Sequence, residues 1–311
     1  MTKFINKRSL PLPVYALTVD ISTRYSDGGA DISTTSLTGE PLVRILRRVY
    51  ADKLVEDVIS MQHRLIGSLL HNALAETSFK EMGIVPEEGM LREQRLFMDV
   101  GGWTVSGEPD YYTGYKTKTL VDYKYCAKYK TRNEIPEDWI KQLNIYAHML
   151  RKYEREVDKL QICAWYRDAY ENAGDEFTRV LPVTMYTDEQ IADYILKRVK
   201  YHQVSDPNYN ELIDLDGVPE CSEKARYYKP PVFALMKTGR KSAVKLHDSR
   251  EKAEEHKARE GGKGFWIQER EATNDKCDKY CNVAKWCQYQ QARIEARGVA
   301  SEEESTANDK V

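Results

Sequence analysis

Two carboxylates and an ammonium stand close together near the middle of the chain, in Gly107-Glu108-Pro109-Asp110 and then Asp122-Tyr123-Lys124. Their flanks, Val105-Ser106, Tyr111-Tyr112, Thr119-Leu120-Val121 and Tyr125, are rich in β-branched and aromatic residues. Thr113-Gly114 and Lys116-Thr117-Lys118 fall between them as a turn, so a β-hairpin is expected. Residues two apart in a strand share a face, which points Asp122 and Lys124 together and Tyr123 away. A bend at Pro109 would bring Asp110 beside them. Hard carboxylate oxygens suit a Mg²⁺ or Mn²⁺ ion that keeps several waters. Such an ion lowers the pKa of water and stabilises charge on a phosphoryl oxygen. An ammonium beside it can orient the water or steady the charge. A solvated surface hairpin carries the same short pattern, so its weight comes from the elements around it.

The chain has 311 residues, enough for one large core or a core plus a module. Its 47 basic and 49 acidic residues leave a net charge of −2, so binding to nucleic acid would need a local basic patch. Met-Thr-Lys-Phe-Ile-Asn-Lys-Arg begins no apolar run, and no stretch approaches the ~20 apolar residues of a membrane span. No membrane association and a cytoplasmic location, in a prokaryotic cell or a phage-infected host, are expected. In that setting six cysteines suggest a metal or catalytic site more than disulfides.

Residues 1–38 read as a polar, irregular arm. Thr38 is placed to cap a short helix over Pro41–Tyr50, whose Arg44, Arg47 and Arg48 form either a phosphate-contacting face or a solvated surface. A longer helix is expected over about residues 55–80, with Val58, Met61, Leu65, Leu69 and Ala73 as its core stripe. Gly67 inside it suggests a close approach by another backbone or a ligand. His71, one turn on, is a possible imidazole ligand, although a lone helical His is more often an ordinary residue; Glu76 is a weaker candidate. A strand over Leu91–Val100 precedes the hairpin. Pro136 then opens a helix to about Tyr153 with Trp139, Leu143, Tyr146 and Leu150 as its stripe. Strands over Lys159–Tyr166 and Phe177–Tyr186 follow, and Asp188 is expected to cap a helix to about Val204. This order implies an α/β core, a mixed sheet with helices on both faces.

Four motifs occur in order: Gly67-x-x-x-His71, Gly107-Glu108-Pro109-Asp110, Asp122-Tyr123-Lys124 and Gln142-x-x-x-Tyr146. Over about residues 35–170 the chain resembles the PD-(D/E)xK nucleases, and within them the RecB-like exonuclease group of CRISPR-associated and phage type. The resemblance implies a restriction-endonuclease-like core at 39–220. It implies that His71, Asp110, Asp122 and the Tyr123 carbonyl hold Mg²⁺ or Mn²⁺, that Lys124 is the catalytic lysine, and that Gln142 and Tyr146 support the site. Asp122 stands where many relatives have Glu. Tyr146 as a plain core residue is an equal reading.

Cys277, Cys281 and Cys287 fall within eleven residues, too tightly for ordinary core packing. Clustered thiolates suit a soft metal, and a closed Zn²⁺ site or a [4Fe–4S] cluster needs four. Cys221 is the best fourth, while Cys126 and Cys163 read as small buried hydrophobes. The resemblance implies a [4Fe–4S] cluster, but its usual first cysteine lies before the histidine motif, where this chain has none; Zn²⁺ stays open. Within the metal-cluster segment, 221–290, a ββαβ insert is expected at about 230–270. Its Lys237, Arg240, Lys241 and Lys245 are possible phosphate contacts, and Trp266 is read as core rather than as a base-stacking platform. Residues 298–311 read as a disordered acidic tail.

The expectation is thus a metal-dependent deoxyribonuclease, an exonuclease on single- or double-stranded DNA ends, with Lys128, Lys130 and Arg132 holding the backbone. A non-catalytic DNA-binding module working with a helicase or recombinase is the alternative. The chain has no phosphate-binding Gly-rich loop with Lys-Ser/Thr, so a helicase, recombinase or CRISPR adaptation partner would be another chain.

Overall fold

The computed structural model describes residues 2–297 except 25, 80, 84, 86, 87, 115, 171–173, 175 and 205–217. The expected acidic tail, 298–311, lies outside the described residues. The chain divides into two compact units, Met1–Val218 and Pro219–Val311.

The first unit begins with β1 (Lys3–Ile5), α1 (Leu12–Thr23), β2 (Ile32–Ser33), α2 (Thr34–Thr38), α3 (Pro41–Val49), β3 (Val55–Asp57) and α4 (Gln62–Glu76). It continues through β4 (Leu91–Arg92), β5 (Leu96–Val100), β6 (Trp103–Gly107), β7 (Tyr111–Thr113), β8 (Thr119–Cys126) and α5 (Glu137–Lys152). β9 (Lys159–Tyr166), β10 (Thr178–Val183) and α6 (Asp188–Val204) complete it. The main sheet is open and mixed, in the order β10-β9-β8-β7-β4, with β8 and β9 parallel and the other pairs antiparallel. A second sheet, β2-β6-β5, has one parallel and one antiparallel pair, and β1 pairs β3 in parallel. This is a mixed α/β fold with helices packed on the sheets.

Pro109 separates the two larger sheets. β6 ends at Gly107 beside Leu96, while β7 starts at Tyr111 opposite Val121. The hairpin forms as β7 and β8, and the bend carries one stretch from an inner strand of one sheet to an inner strand of the other.

Helix α5 runs between them and packs on β5, β8 and β9. All eight residues from Leu143 to Leu150 are buried, so the helix is enclosed well beyond its apolar stripe. Asn144 is tolerated there because its amide donates to Ile140 and Thr184 carbonyls and its oxygen accepts from Tyr186 N–H. Leu120, Leu143, Ile145, Met149, Leu150 and Ile162 are among the largest fully buried side chains. Gly107 faces this core: a Cβ there would stand 2.6 Å from Met149 Sδ and 2.8 Å from Tyr146 Cε1. α4 lies on the other face of β8, where Gly67 approaches Tyr125.

Several expectations are corrected. The arm at 1–38 contains α1, which starts behind Pro11 and leaves Leu12 and Leu17 exposed, so no one-sided stripe marks it. Thr38 ends α2 instead of capping α3; Ser33 caps α2, and Pro41 opens α3 without a side-chain cap. The long helix starts at Gln62, after β3 and a 3₁₀ turn, and Leu69 and Ala73 of its expected stripe are exposed. Thr187, not Asp188, caps α6. Its Oγ1 accepts from Gln190 N–H and its own N–H donates to Gln190 Oε1, a reciprocal capping box.

The second unit holds α7 (Glu223–Arg226), β11 (Tyr228–Lys229), β12 (Val232–Lys237), β13 (Lys245–His247), α8 (Arg250–Arg259), β14 (Phe265–Arg270), β15 (Thr273–Asn274) and α9 (Asp275–Lys279). The ββαβ insert is present, in strand order β13-β12-β14, with Ser249 capping α8. Trp266 is exposed on β14 and is not in the insert's core, where Ala234, Leu235, Ala253 and Phe265 are buried.

Candidate metal centre

Strand β8 sets the geometry. Asp122 and Lys124 face α5, whereas Tyr123 turns toward α4, its ring edge-on to His71 at 5.9 Å between centroids. The Tyr123 peptide is used on both sides. Its N–H donates to Asp110 Oδ2 at 2.6 Å, and its carbonyl oxygen lies 3.2 Å from His71 Nε2. Pro109's bend therefore delivers Asp110 onto the backbone of the strand that carries Asp122 and Lys124.

A residue that no motif marks joins them. Glu93 Oε1 lies 3.1 Å from His71 Nδ1, and Asp110 Oδ1 lies 3.3 Å from the same nitrogen. Glu93 follows β4 with φ at 45°, a left-handed conformation uncommon for a residue with a Cβ. Its N–H donates to the Asp110 carbonyl. Its neighbour Arg92 donates to the Leu74 and Thr77 carbonyls at the end of α4, the helix that carries His71. The signal for Glu93 is conformational and leaves no trace in local patterning.

Burial works against a charged His71 ring, yet hydrogen bonds to Asp110 and Glu93 prevail and push it up to about 10. Burial pushes the Glu93 carboxyl up, with His71 pulling the other way. Among the described residues, His71, Glu93 and Asp110 are the set of three donors that lie within 4.8 Å of one another. One imidazole and two carboxylates fit Mg²⁺ or Mn²⁺, while the Tyr123 carbonyl lies at the other ring nitrogen.

Asp122 lies outside that set. It is buried and paired with Lys124, whose Nζ is 2.6 Å from Oδ2. Burial drives the Asp122 carboxyl up against the pull of Lys124, and Asp110 adds to the rise. Burial opposes the Lys124 charge, but Asp122 and Asp110 hold it as ammonium. Lys124 Nζ also donates to Gln142 Oε1 at 3.2 Å, and Gln142 Nε2 donates to Tyr146 Oη at 2.9 Å. Four of the singled-out residues thus form one chain, Asp122–Lys124–Gln142–Tyr146. Tyr146 is at once a core ring and the end of that chain.

The other candidates stand apart from this cluster. Lys128 and Lys130 lie on the 3₁₀ turn after β8 and Arg132 just beyond it; Lys130 and Arg132 are exposed. Glu108 pairs with Arg95 at 2.6 Å, and Glu76 is exposed.

In the second unit burial raises the Cys277 thiol, and Cys281 and Cys287 raise it further. Cys221 is tied toward them: Arg226 donates to the Cys221 carbonyl and to Asn274 Oδ1, immediately before α9 and Cys277. β11 pairs β15 in the same place. All four thiols are half-buried and unbridged, and no three of them gather within 4.8 Å. Cys126 is buried, and Cys163 is half-buried under Trp165 Nε1.

No helix among the described residues is long and apolar enough to cross a membrane. No protein-family model matches the chain, and no curated protein matches it. Among solved structures it is similar to the crystal structure of SSO0001, at 12% identity and a TM-score of 0.42, over 61% of this chain and 85% of that one. It is also similar to a crystal structure from Eubacterium rectale named "Putative exonuclease", at 12% identity and a TM-score of 0.28, over 61% of this chain and 73% of that one.

Proposed function

We propose that the chain is a divalent-metal-dependent deoxyribonuclease, acting as an exonuclease on DNA ends. The observation that carries this reading is the convergence at β8. His71 Nδ1 meets Asp110 while the Tyr123 peptide binds Asp110 through its N–H and His71 Nε2 through its carbonyl, and Asp122 pairs with Lys124 on the other face of the strand. His71 and Asp110, with Asp122 as the motifs imply, would hold a Mg²⁺ or Mn²⁺ ion, which would supply Lewis acidity toward a phosphoryl oxygen and acidify water. Asp122 keeps Lys124 charged in a buried setting, and Lys124 opposes the negative charge that builds on the phosphate. Gln142 and Tyr146 hold the ammonium in place. Asp122 would also add its negative charge to the field at the cation.

Lys128, Lys130 and Arg132 contact the phosphate backbone without reading sequence. Residues 39–220 form the nuclease core and 221–290 a metal-cluster segment. Cys221, Cys277, Cys281 and Cys287 hold a [4Fe–4S] cluster or Zn²⁺ in a structural role, supported by the Arg226 tie between Cys221 and Asn274. Recombination, phage replication and CRISPR adaptation are the settings in which a partner helicase or recombinase would work with it.

The test is cleavage of end-labelled single- and double-stranded DNA by the full chain in Mg²⁺, Mn²⁺ and EDTA. Cleavage that EDTA abolishes supports the proposal. Folded protein that binds DNA but cuts none in either metal overturns it in favour of a binding module.

A further inference from the structure

Glu93 reaches the His71–Asp110 cluster by an uncommon route. It sits at the end of a two-residue edge strand, β4, which pairs Leu91 with Tyr112 and Arg92 with Tyr111. The next residue in that register would face Asp110. There the chain leaves the strand through the left-handed φ at Glu93, and the Glu93 N–H closes on the Asp110 carbonyl. Such a conformation costs about 1–3 kcal/mol for a residue with a side chain and persists where the surroundings enforce it. Arg92 supplies that enforcement, locking the strand to the end of α4 through Leu74 and Thr77 carbonyls and stacking on Phe79. The result is a carboxylate whose oxygen is 3.1 Å from His71 Nδ1 and within 4.8 Å of an Asp110 donor oxygen. The Asp110 side chain is 7% exposed, whereas those of Glu93 and His71 are 25% and 29% exposed. The three donors therefore converge at a place that stays open to solvent on the Glu93 side.

We propose that Glu93 is a direct ligand of the divalent cation, a further carboxylate of the site beside Asp110. The inference rests on the metal-dependent reading above. Asp122 has Lys124 as its charge partner at 2.6 Å, whereas Glu93 has the imidazole that the cation itself would engage. With Glu93 in place the cation meets two anionic oxygens and one imidazole nitrogen, leaving room for about three waters in an octahedral shell. The competing role is positional: Glu93 would only orient the His71 ring, as outer carboxylates commonly do.

Two variants of the full chain separate these roles. Glu93→Gln keeps an oxygen that can accept from His71 but removes the charge. Glu93→Gly removes the side chain and suits the left-handed backbone, so it should fold even if the Gln variant does not. Mn²⁺ alone is the probe, followed by calorimetric titration and by water-proton relaxation, which reports the waters on the bound ion. A ligand role predicts affinity at least about tenfold weaker in both variants, with about one more water on the ion in the Gly variant. Wild-type Mn²⁺ binding with unchanged affinity and hydration in both variants would overturn it and leave the nuclease reading standing. Weaker binding with unchanged hydration would assign Glu93 the positional role instead. A wild type that binds no Mn²⁺ would remove both the ligand assignment and the reading it rests on.

Discussion

Replacing Gly107 by alanine puts a methyl group into space that α5 already fills. The new Cβ would stand 2.6 Å from Met149 Sδ, 2.8 Å from Tyr146 Cε1 and 2.9 Å from Thr34 Oγ1. Carbon contacts settle near 3.5–4.0 Å, so each approach is short by roughly 1 Å. All three neighbours are buried, and Thr34 Oγ1 is fixed by its bond to the Ser106 carbonyl. Overpacking of this kind costs about 1–3 kcal/mol. Gly107 is not among the glycines with positive φ, so alanine suits the backbone and recovers about 0.4–1 kcal/mol through the unfolded state. The net expectation is a loss of about 1–2 kcal/mol. Urea denaturation of the variant against wild type reads this directly. Gly107→Ala combined with Met149→Ala should show a coupling of at least ~0.5 kcal/mol, because the two share the contact. A variant as stable as wild type, or more so, would refute the packing argument for this motif glycine.

Further expectations follow from the site and its supports. Because hydrogen bonds to Asp110 and Glu93 hold the His71 ring charged up to about pH 10, cation binding at pH 7 should release a proton. The apparent Mn²⁺ affinity should then rise about tenfold per pH unit from 7 to 9, and calorimetry in two buffers of different ionisation enthalpy measures the released proton. In the metal-free protein the same shift stabilises the fold fully below the unfolded pKa of about 6.5 and fades as pH rises through about 10. Lys124→Met strands the Asp122 carboxylate without its cation and should cost about 3–5 kcal/mol at pH 8. The loss should shrink as falling pH protonates a carboxyl already pushed up by burial, which pH-dependent denaturation would show. Thr187→Ala opens the capping box of α6 and should cost about 1 kcal/mol in thermal or urea unfolding. Anaerobically purified protein should contain iron and sulfide, or zinc, in an amount that Cys277→Ser and Cys221→Ser both reduce.

The catalytic-looking part of the site was legible because its geometry is local. Strand period two places Asp122 and Lys124 on one face, and the spacing of four puts Gln142 and Tyr146 one helical turn apart. The ββαβ insert was legible for the same reason, through a turn signal and a serine cap. Glu93 was not, because it reaches the site through one left-handed residue after a two-residue strand. α1 is hidden by Pro11 before it and Pro13 in its first turn, and by apolar residues spread around it. The stripe on α4 misled at Leu69 and Ala73, since period alone does not say how far along a helix the sheet extends. Trp266 departs from the expectation of a core side chain because Ala234, Leu235, Ala253 and Phe265 fill the insert's core.

The proposed reaction has Lys124 act on the phosphate while other groups hold the cation. The direct measurement is paired on one protein, Lys124→Ala: Mn²⁺ affinity by calorimetry and single-turnover cleavage of end-labelled DNA at saturating Mn²⁺. Mn²⁺ affinity is expected within about threefold of wild type, with cleavage slowed by at least about 100-fold. Cleavage at the wild-type rate by that folded, Mn²⁺-loaded variant would contradict it.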